Sequence, residues 1–284
     1  MKLLTINNTR DLHVMVAIPG PDQWASSFAL SLVGLVSDFT TPIQGYTTQR
    51  LRFFRKVGSL LPAMRQQLLE EAVKAECSHV FFVDSDQVFP STALRRLLSH
   101  RVPVVACNIA IKKFPSGPTA RAFAPEDPRG KVVYTTERSR GLERIWRVGT
   151  GVMLIDTSII KHLGPKPWFN VRWREEAQEF EGEDWYFCSV VEKAGYHIYV
   201  DHELSWHVGH VGSLEYRHDF VVAAKVYEES SRVQDRVVEE DLRAIVPVVE
   251  RKQEGGITDG TISGSGAVYL GASGSVGERA EAAG

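Results

Sequence analysis

The stretch His79-Val80-Phe81-Phe82-Val83-Asp84-Ser85-Asp86 runs four consecutive apolar residues straight into two carboxylates spaced one residue apart. An apolar run of this length, rich in Val and Phe, predicts a strand buried on both faces. Burying an ionised carboxylate without a partner is costly, so Asp84 and Asp86 belong at the strand's exit, where water or a cation can meet them. In open α/β sheets that carboxyl edge is where ligands bind. A divalent cation there would neutralise the phosphates of a nucleotide-linked substrate. The competing explanation of the same residues is a helix cap or an Asx turn leading into Pro90-Ser91-Thr92.

Elements alternate on both sides of this strand. His13–Ile18 predicts a first strand, stopped by Pro19-Gly20-Pro21, and Gln23–Val36 has helical apolar spacing. A short extended piece follows around Pro42–Thr47, then a helix over Leu61–Ala75. Beyond the Asp-rich exit, Ser91–His100 predicts a helix and Val102–Cys107 a strand. This alternation predicts an α/β fold with a mostly parallel, Rossmann-like sheet flanked by helices. Lys112–Arg140 is rich in Pro, Gly and charge, with a hairpin piece at Lys131–Thr135; it fits a mobile active-site loop or a long surface connection. Ile145–Val148 and Val152–Asp156 predict strands, Glu183–Ala194 a helix and His197–Val200 a strand. A long amphipathic helical region over Phe220–Val249 is ended or kinked by Pro247. From Gln253 onward Gly, Ser, Ala and Thr dominate without periodicity, which predicts a disordered tail or attachment segment.

At 284 residues and 43% hydrophobic composition the chain can bury a sizeable core. It has no apolar run long enough to span a bilayer, and its first residues lack a signal-peptide core. Cys77, Cys107 and Cys188 are odd in number and widely separated, which suggests small buried hydrophobes in a reducing, cytoplasmic setting rather than a disulfide framework or zinc cluster. Residues 1–150 carry 20 Lys/Arg against 12 Asp/Glu, and residues 151–284 carry 13 against 23. A basic first half suits a phosphate-bearing ligand, while the overall net charge of −2 argues against strong sequence-independent nucleic-acid binding.

Three further segments bear chemistry. Gly149-Thr150-Gly151 lets backbone approach a ligand closely, with Thr150 able to hydrogen-bond, or it is a bulge between strands. Glu183-Asp184 opens a helix, where its dipole stabilises acids. Successive helix positions point about 100° apart, so only one acid faces a pocket; Asp184 is the choice for a general base, with Glu183 left to cap. In Trp206-His207-Val208-Gly209-His210, either imidazole can ligate Mn²⁺ or another transition ion, or serve a structural role.

Taken in order, the Asp-x-Asp after an apolar strand, the Gly-Thr-Gly segment, Glu183-Asp184 and the late Val-Gly-His resemble glycosyltransferases of the GT-A fold, in particular the family 2-like enzymes of bacteria and their phages. The resemblance covers roughly residues 13–217. It implies a GT-A domain over 1–217, a C-terminal helical extension over 218–252 and the Gly/Ser-rich tail over 253–284. It also implies a metal-dependent transferase moving a sugar from a nucleotide-diphosphate-sugar donor to an acceptor hydroxyl, with inversion. Asp86 would bind Mn²⁺ or Mg²⁺, with His210 as the late ligand and His207 second. Asp84, with Ser85 and Thr150 beside the donor, would contact ribose or a metal-bound water. Pro19 falls where the nucleotide base begins to be held. Arg65 matches an Arg that usually precedes Asn; Gln66 stands in that Asn's place, which leaves a donor contact from there open. Asp184 would deprotonate the acceptor. Trp168, Phe169, Trp173, Trp185 and Trp206 are candidates for sugar stacking or for core.

Two alternatives compete. A nucleotidyltransferase also uses an Asp-x-Asp on a parallel sheet, but it would want a basic Gly-rich loop near the first strand, and Pro19-Gly20-Pro21-Asp22 is not one. A non-catalytic nucleotide-sugar-binding module would bind donor without turnover. Glycan, protein, lipid-linked glycan and modified DNA base all remain open as acceptor.

Overall fold

The computed structural model describes residues 11–212, 215–230 and 232. The tail from Gln253 and the expected helix beyond residue 232 lie outside the described residues, and the chain divides after Ser231. In chain order the first half runs β1 (Asp11–Gly20), α1 (Ser26–Phe39), β2 (Thr48–Val57), α2 (Leu61–Lys74), β3 (His79–Val83), β4 (Gln87–Val88), α3 (Ala93–Ser99) and β5 (Val104–Ala106). The hairpin β6 (Arg121–Ala122) and β7 (Lys131–Val132) follows, then β8 (Leu142–Ile145), β9 (Val152–Asp156) and a 3-10 turn over Thr157–His162. A second hairpin, β10 (Arg172–Arg174) and β11 (Glu179–Glu181), leads into α4 (Glu183–Lys193), β12 (Ile198–Asp201) and α5 (His202–Trp206). β13 (Gly209–Val211), β14 (Glu215–Tyr216) and a helix α6 (218–230) close the described chain.

The seven-stranded sheet has the order β2-β1-β3-β9-β5-β12-β8. β1, β2, β3, β5 and β12 run one way, while β9 is inserted antiparallel between β3 and β5, and β8 lies antiparallel on the edge. The protein therefore has the mostly parallel α/β sheet flanked by helices that its sequence implies. The apolar run of β3 does what an alternating side-chain geometry requires of a central strand. Val80 and Phe82 enter the layer beneath α2 and α4, while Phe81 and Val83 enter the layer beneath α1 and α3. Each fully buried Phe contributes about 1.5–3 kcal/mol relative to exposure.

Two expectations need correction. Pro42–Thr47 is not a strand; the extended element is β2, which pairs in parallel with all ten residues of β1 and carries that strand's pairing through Pro19 and Gly20. β2 was hidden because Arg50, Arg52, Arg55 and Lys56 interrupt its apolar alternation, a composition typical of sheet edges. Lys112–Arg140, expected as a mobile loop or a long surface connection, does hold a hairpin at β7, paired with β6, but part of it is buried against the sheet. Ala120, Val133 and Thr135 are buried, and Asn108 Nδ2 donates to the Val133 carbonyl at 2.9 Å, so the hairpin is fastened to the end of β5. No helix among the described residues is long and apolar enough to cross a membrane.

Candidate active site

The carboxyl ends of the parallel strands collect the chemistry. At the end of β1, Gly20 has φ +146°, where a side chain would be strained, and a Cβ there would crowd the Ser85 hydroxyl at 3.1 Å. Pro19 is buried in this strand end. The chain then turns through Asp84-Ser85-Asp86 into β4: Gln87 N–H donates to the Asp84 carbonyl at 3.0 Å, and Asp84 N–H to the Gly151 carbonyl at 2.9 Å. A turn does close the Asp-rich segment, as its composition allows, but it aims both carboxylates at one edge.

Asp84 faces α2. Arg65 Nη2 donates to both of its oxygens, at 2.9 and 3.0 Å, and Arg65 Nε reaches Glu183 Oε1 at 3.3 Å. Arg65 is only 2% exposed because it shares the buried stripe of α2 with Leu68, Leu69 and Ala72. Its guanidinium is thus spent on two carboxylates and joins the β3 exit to the start of α4. Gln66 turns the other way, its Oε1 accepting from Trp168 N–H at 2.8 Å.

Asp86 faces the small sheet β14-β13-β4. Lys112 Nζ donates to its Oδ2 at 2.5 Å, and His210 Nε2 lies 3.5 Å from its Oδ1. Burial would raise this carboxyl, yet the nearby His210 and Lys112 outweigh it and hold Asp86 at about 2. His210 Nδ1 sits 3.0 Å from the Ala110 carbonyl, which can only accept, so that nitrogen carries the proton and Nε2 faces the carboxylate. The gap between Nε2 and Oδ1 takes either the proton of an imidazolium or, with the imidazole neutral, a cation. Asp86 Oδ1 has no hydrogen-bond partner although it is buried. His207 is exposed and makes no contact with either Asp. Among the described residues no group of three or more His, Cys, Asp or Glu is arranged to hold a metal. Two protein ligands fit a cation shared with a diphosphate; they do not fit a permanently held structural ion.

At the start of α4, burial, with Glu183 alongside, pushes the Asp184 carboxyl up to about 6. The two acids, both in the first turn of α4, have different partners. Glu183 is the partner of Arg65, whereas Asp184 Oδ1 accepts from Trp185 N–H at 2.7 Å. Thr150 is 1% exposed with its hydroxyl unpartnered, and the wholly buried Gln87 has neither amide atom bonded. Gly151 lies against these groups: a Cβ would fall 2.9 Å from Ile109 Cδ1, 3.1 Å from Asp84 Oδ2 and 3.3 Å from Gln87 Nε2. Gly151→Ala should therefore cost about 1–3 kcal/mol by overpacking. Urea denaturation measures it, and an unchanged midpoint would show that the exit can shift at no cost.

The aromatics separate by environment. Trp168 and Phe169 are core, with Phe169 stacked on Phe187 at 4.6 Å. Trp173 packs edge-on to the exposed Phe180, Trp206 stacks on His218, and Trp185 lies under Arg121. Lys112, Gln87 and Arg121 were not singled out from sequence; each lies far along the chain from the carboxylate or glycine it meets or sits in a segment without periodicity.

No family model matches the chain, and no curated protein matches it. Among solved structures it is similar to A197 from STIV, with a TM-score of 0.49 and 15% identity over 73% of this chain and 91% of that one. It is also similar to S. aureus TarS 1-349 in complex with UDP-GlcNAc, with a TM-score of 0.39 and 14% identity over 68% of this chain and 56% of that one. GalNAc-T7 with UDP, GalNAc and Mn2+ gives a TM-score of 0.43 and 13% identity over 72% and 44% of the two chains. The chain spans about half the length of the latter two.

Proposed function

We propose that the protein is a glycosyltransferase that moves a sugar from a nucleotide-diphosphate-sugar to an acceptor hydroxyl. One observation carries this: a single sheet edge brings together a cation-compatible pair, Asp86 and His210, and a carboxyl poised near neutrality, Asp184. Arg65 ties the strand exit that carries the first to the helix that carries the second. Asp184, at about 6, is ionised at neutral pH yet close enough to it to take a proton efficiently, as a general base must. In the step, the acceptor oxygen bonds to the anomeric carbon and its proton passes to Asp184. The bond from that carbon to the diphosphate breaks, its electron pair leaving with the diphosphate. A base acting on the incoming hydroxyl in one displacement gives inversion.

Mn²⁺ or Mg²⁺, held by Asp86 and His210 together with the diphosphate, would supply Lewis-acid stabilisation of the leaving group. Lys112, already on Asp86, adds a second positive charge at the same place. Because the protein offers two ligands, Mn²⁺ should bind weakly alone and far more tightly with a nucleoside diphosphate, as calorimetry will show. Asp86→Asn should remove the synergy, and equal nucleotide affinity in excess chelator would refute the metal's part. A panel of nucleotide-sugars, scored for thermal stabilisation and hydrolysis with and without Mn²⁺, tests the whole proposal. Stabilisation by none of them would reject it, and stabilisation without turnover would mark a binding module.

A further inference from the structure

Resting on that function, we propose that the acceptor carries an oxyanion, which Arg121 grips over Trp185 at the start of α4. Among the described residues Arg121 is the one arginine that is not fully exposed and yet has no carboxylate within ion-pair distance. Arg65, Arg95, Arg147 and Arg174 are each matched to an acid. The other unmatched arginines, at positions 50, 52, 101, 138 and 232, are exposed and solvated. Burial lowers the Arg121 pKa, and Tyr134, Asp127 and Glu179, none of them within ion-pair distance, offset this only in part.

Its geometry is that of a prepared receptor. Nη1 donates to the carbonyls of Pro118 at 2.7 Å and Ala120 at 2.9 Å, which fixes the plane of the group. Among the described residues only Nη1 finds hydrogen-bond partners, which leaves the Nε–Nη2 edge of the half-buried side chain open. That edge presents two parallel N–H donors, the arrangement that matches a phosphate or carboxylate bidentately. Arg121 Cζ stands 5.7 Å from the Trp185 ring, one residue from Asp184. The same chain segment passes the Gly-Thr-Gly turn, with Thr119 against Gly149. Nearby, Arg147 and Arg172 share the buried Glu181, and Arg147 and Arg174 both pack on Trp146. One open fork on a half-buried guanidinium without an ion-pair partner calls for an anion from outside.

The experiment titrates the full chain with glycerol 1-phosphate, glucuronate, glycerol and glucose, following tryptophan emission and calorimetric heat. Saturable binding of one or both anions, with no binding of the neutral compounds, is expected. Which anion binds more tightly decides between phosphate and carboxylate. Arg121→Gln should weaken that binding at least tenfold, and Arg121→Lys, which keeps charge but loses the paired edge, severalfold. Equal behaviour of charged and neutral compounds, or wild-type anion affinity in Arg121→Gln, would overturn the proposal. The wild-type comparison and Arg121→Lys decide the matter should Arg121→Gln fail to fold. Nucleotide-sugar stabilisation is measured separately, so a protein that binds donor but prefers neutral acceptors rejects the oxyanion alone.

Discussion

Asp184→Asn should lower turnover by about 10²–10⁴, the usual cost of losing a positioned base, while nucleotide-sugar affinity changes little. The substitution keeps shape and the contact with Trp185 N–H but removes the proton acceptor. In the wild type, activity should rise with pH through about 6, where Asp184 ionises, and this limb should vanish in the variant. Stability supplies an independent check with a definite sign. The folded pKa of Asp184 lies above the ordinary 3.8, so its ionisation opposes folding. The penalty is absent below about pH 4, grows between the two values, and is complete above about 6, where it is on the order of 3 kcal/mol. Asp184→Asn should thus be more stable than wild type at pH 8 and not at pH 3.5. A variant that is slow because it is unstable would show the reverse. Glu183→Gln should mainly lower stability, since it loosens the bond to Arg65; abolition of transfer by Glu183→Gln alone would exchange the roles of the two acids.

Arg65→Met carries the other large effect. It leaves Asp84 and Glu183 facing one another without their shared cation in a mostly buried setting. Removing one partner of a fully buried ion pair costs about 3–5 kcal/mol, and the partial exposure of Asp84 brings the expected loss to about 2–3 kcal/mol. Chemical denaturation measures it. The Arg65 charge also restrains Asp184, so its loss should move the pH limb to more alkaline values. Arg65→Lys, with one charge and no fork, should fall between. Wild-type stability with an unmoved pH limb would show that the three acids are positioned without Arg65.

Much of this molecule is legible along its chain, and the reason is local periodicity. Val80 to Val83 reads as a strand buried on both faces, and the cost of burying a charge puts the acids that follow at its exit. The apolar stripe of α2 was visible in the spacing of Leu68, Leu69 and Ala72, but Arg65, which its charge places off that face, turns out to be buried on it because two carboxylates meet it there. Where periodicity failed, so did legibility: basic residues concealed β2, and Lys112–Arg140 gave no sign that it folds back against the end of β5.

Sequence alone determined the central strand, the helices around it, the sheet edge that bears the acids and the residue types available there. Only the tertiary structure decided between chemically equal candidates. It put His210 rather than His207 against Asp86, gave Glu183 to Arg65 and left Asp184 unmatched, buried Trp168 and Phe169 in the core, and set Lys112 and Arg121 in place. The division has a physical cause. Strand and helix signals are written in neighbours two to four residues apart, whereas an ion pair depends on where distant turns bring two side chains, such as Arg65 and Glu183, and on how much water remains between them.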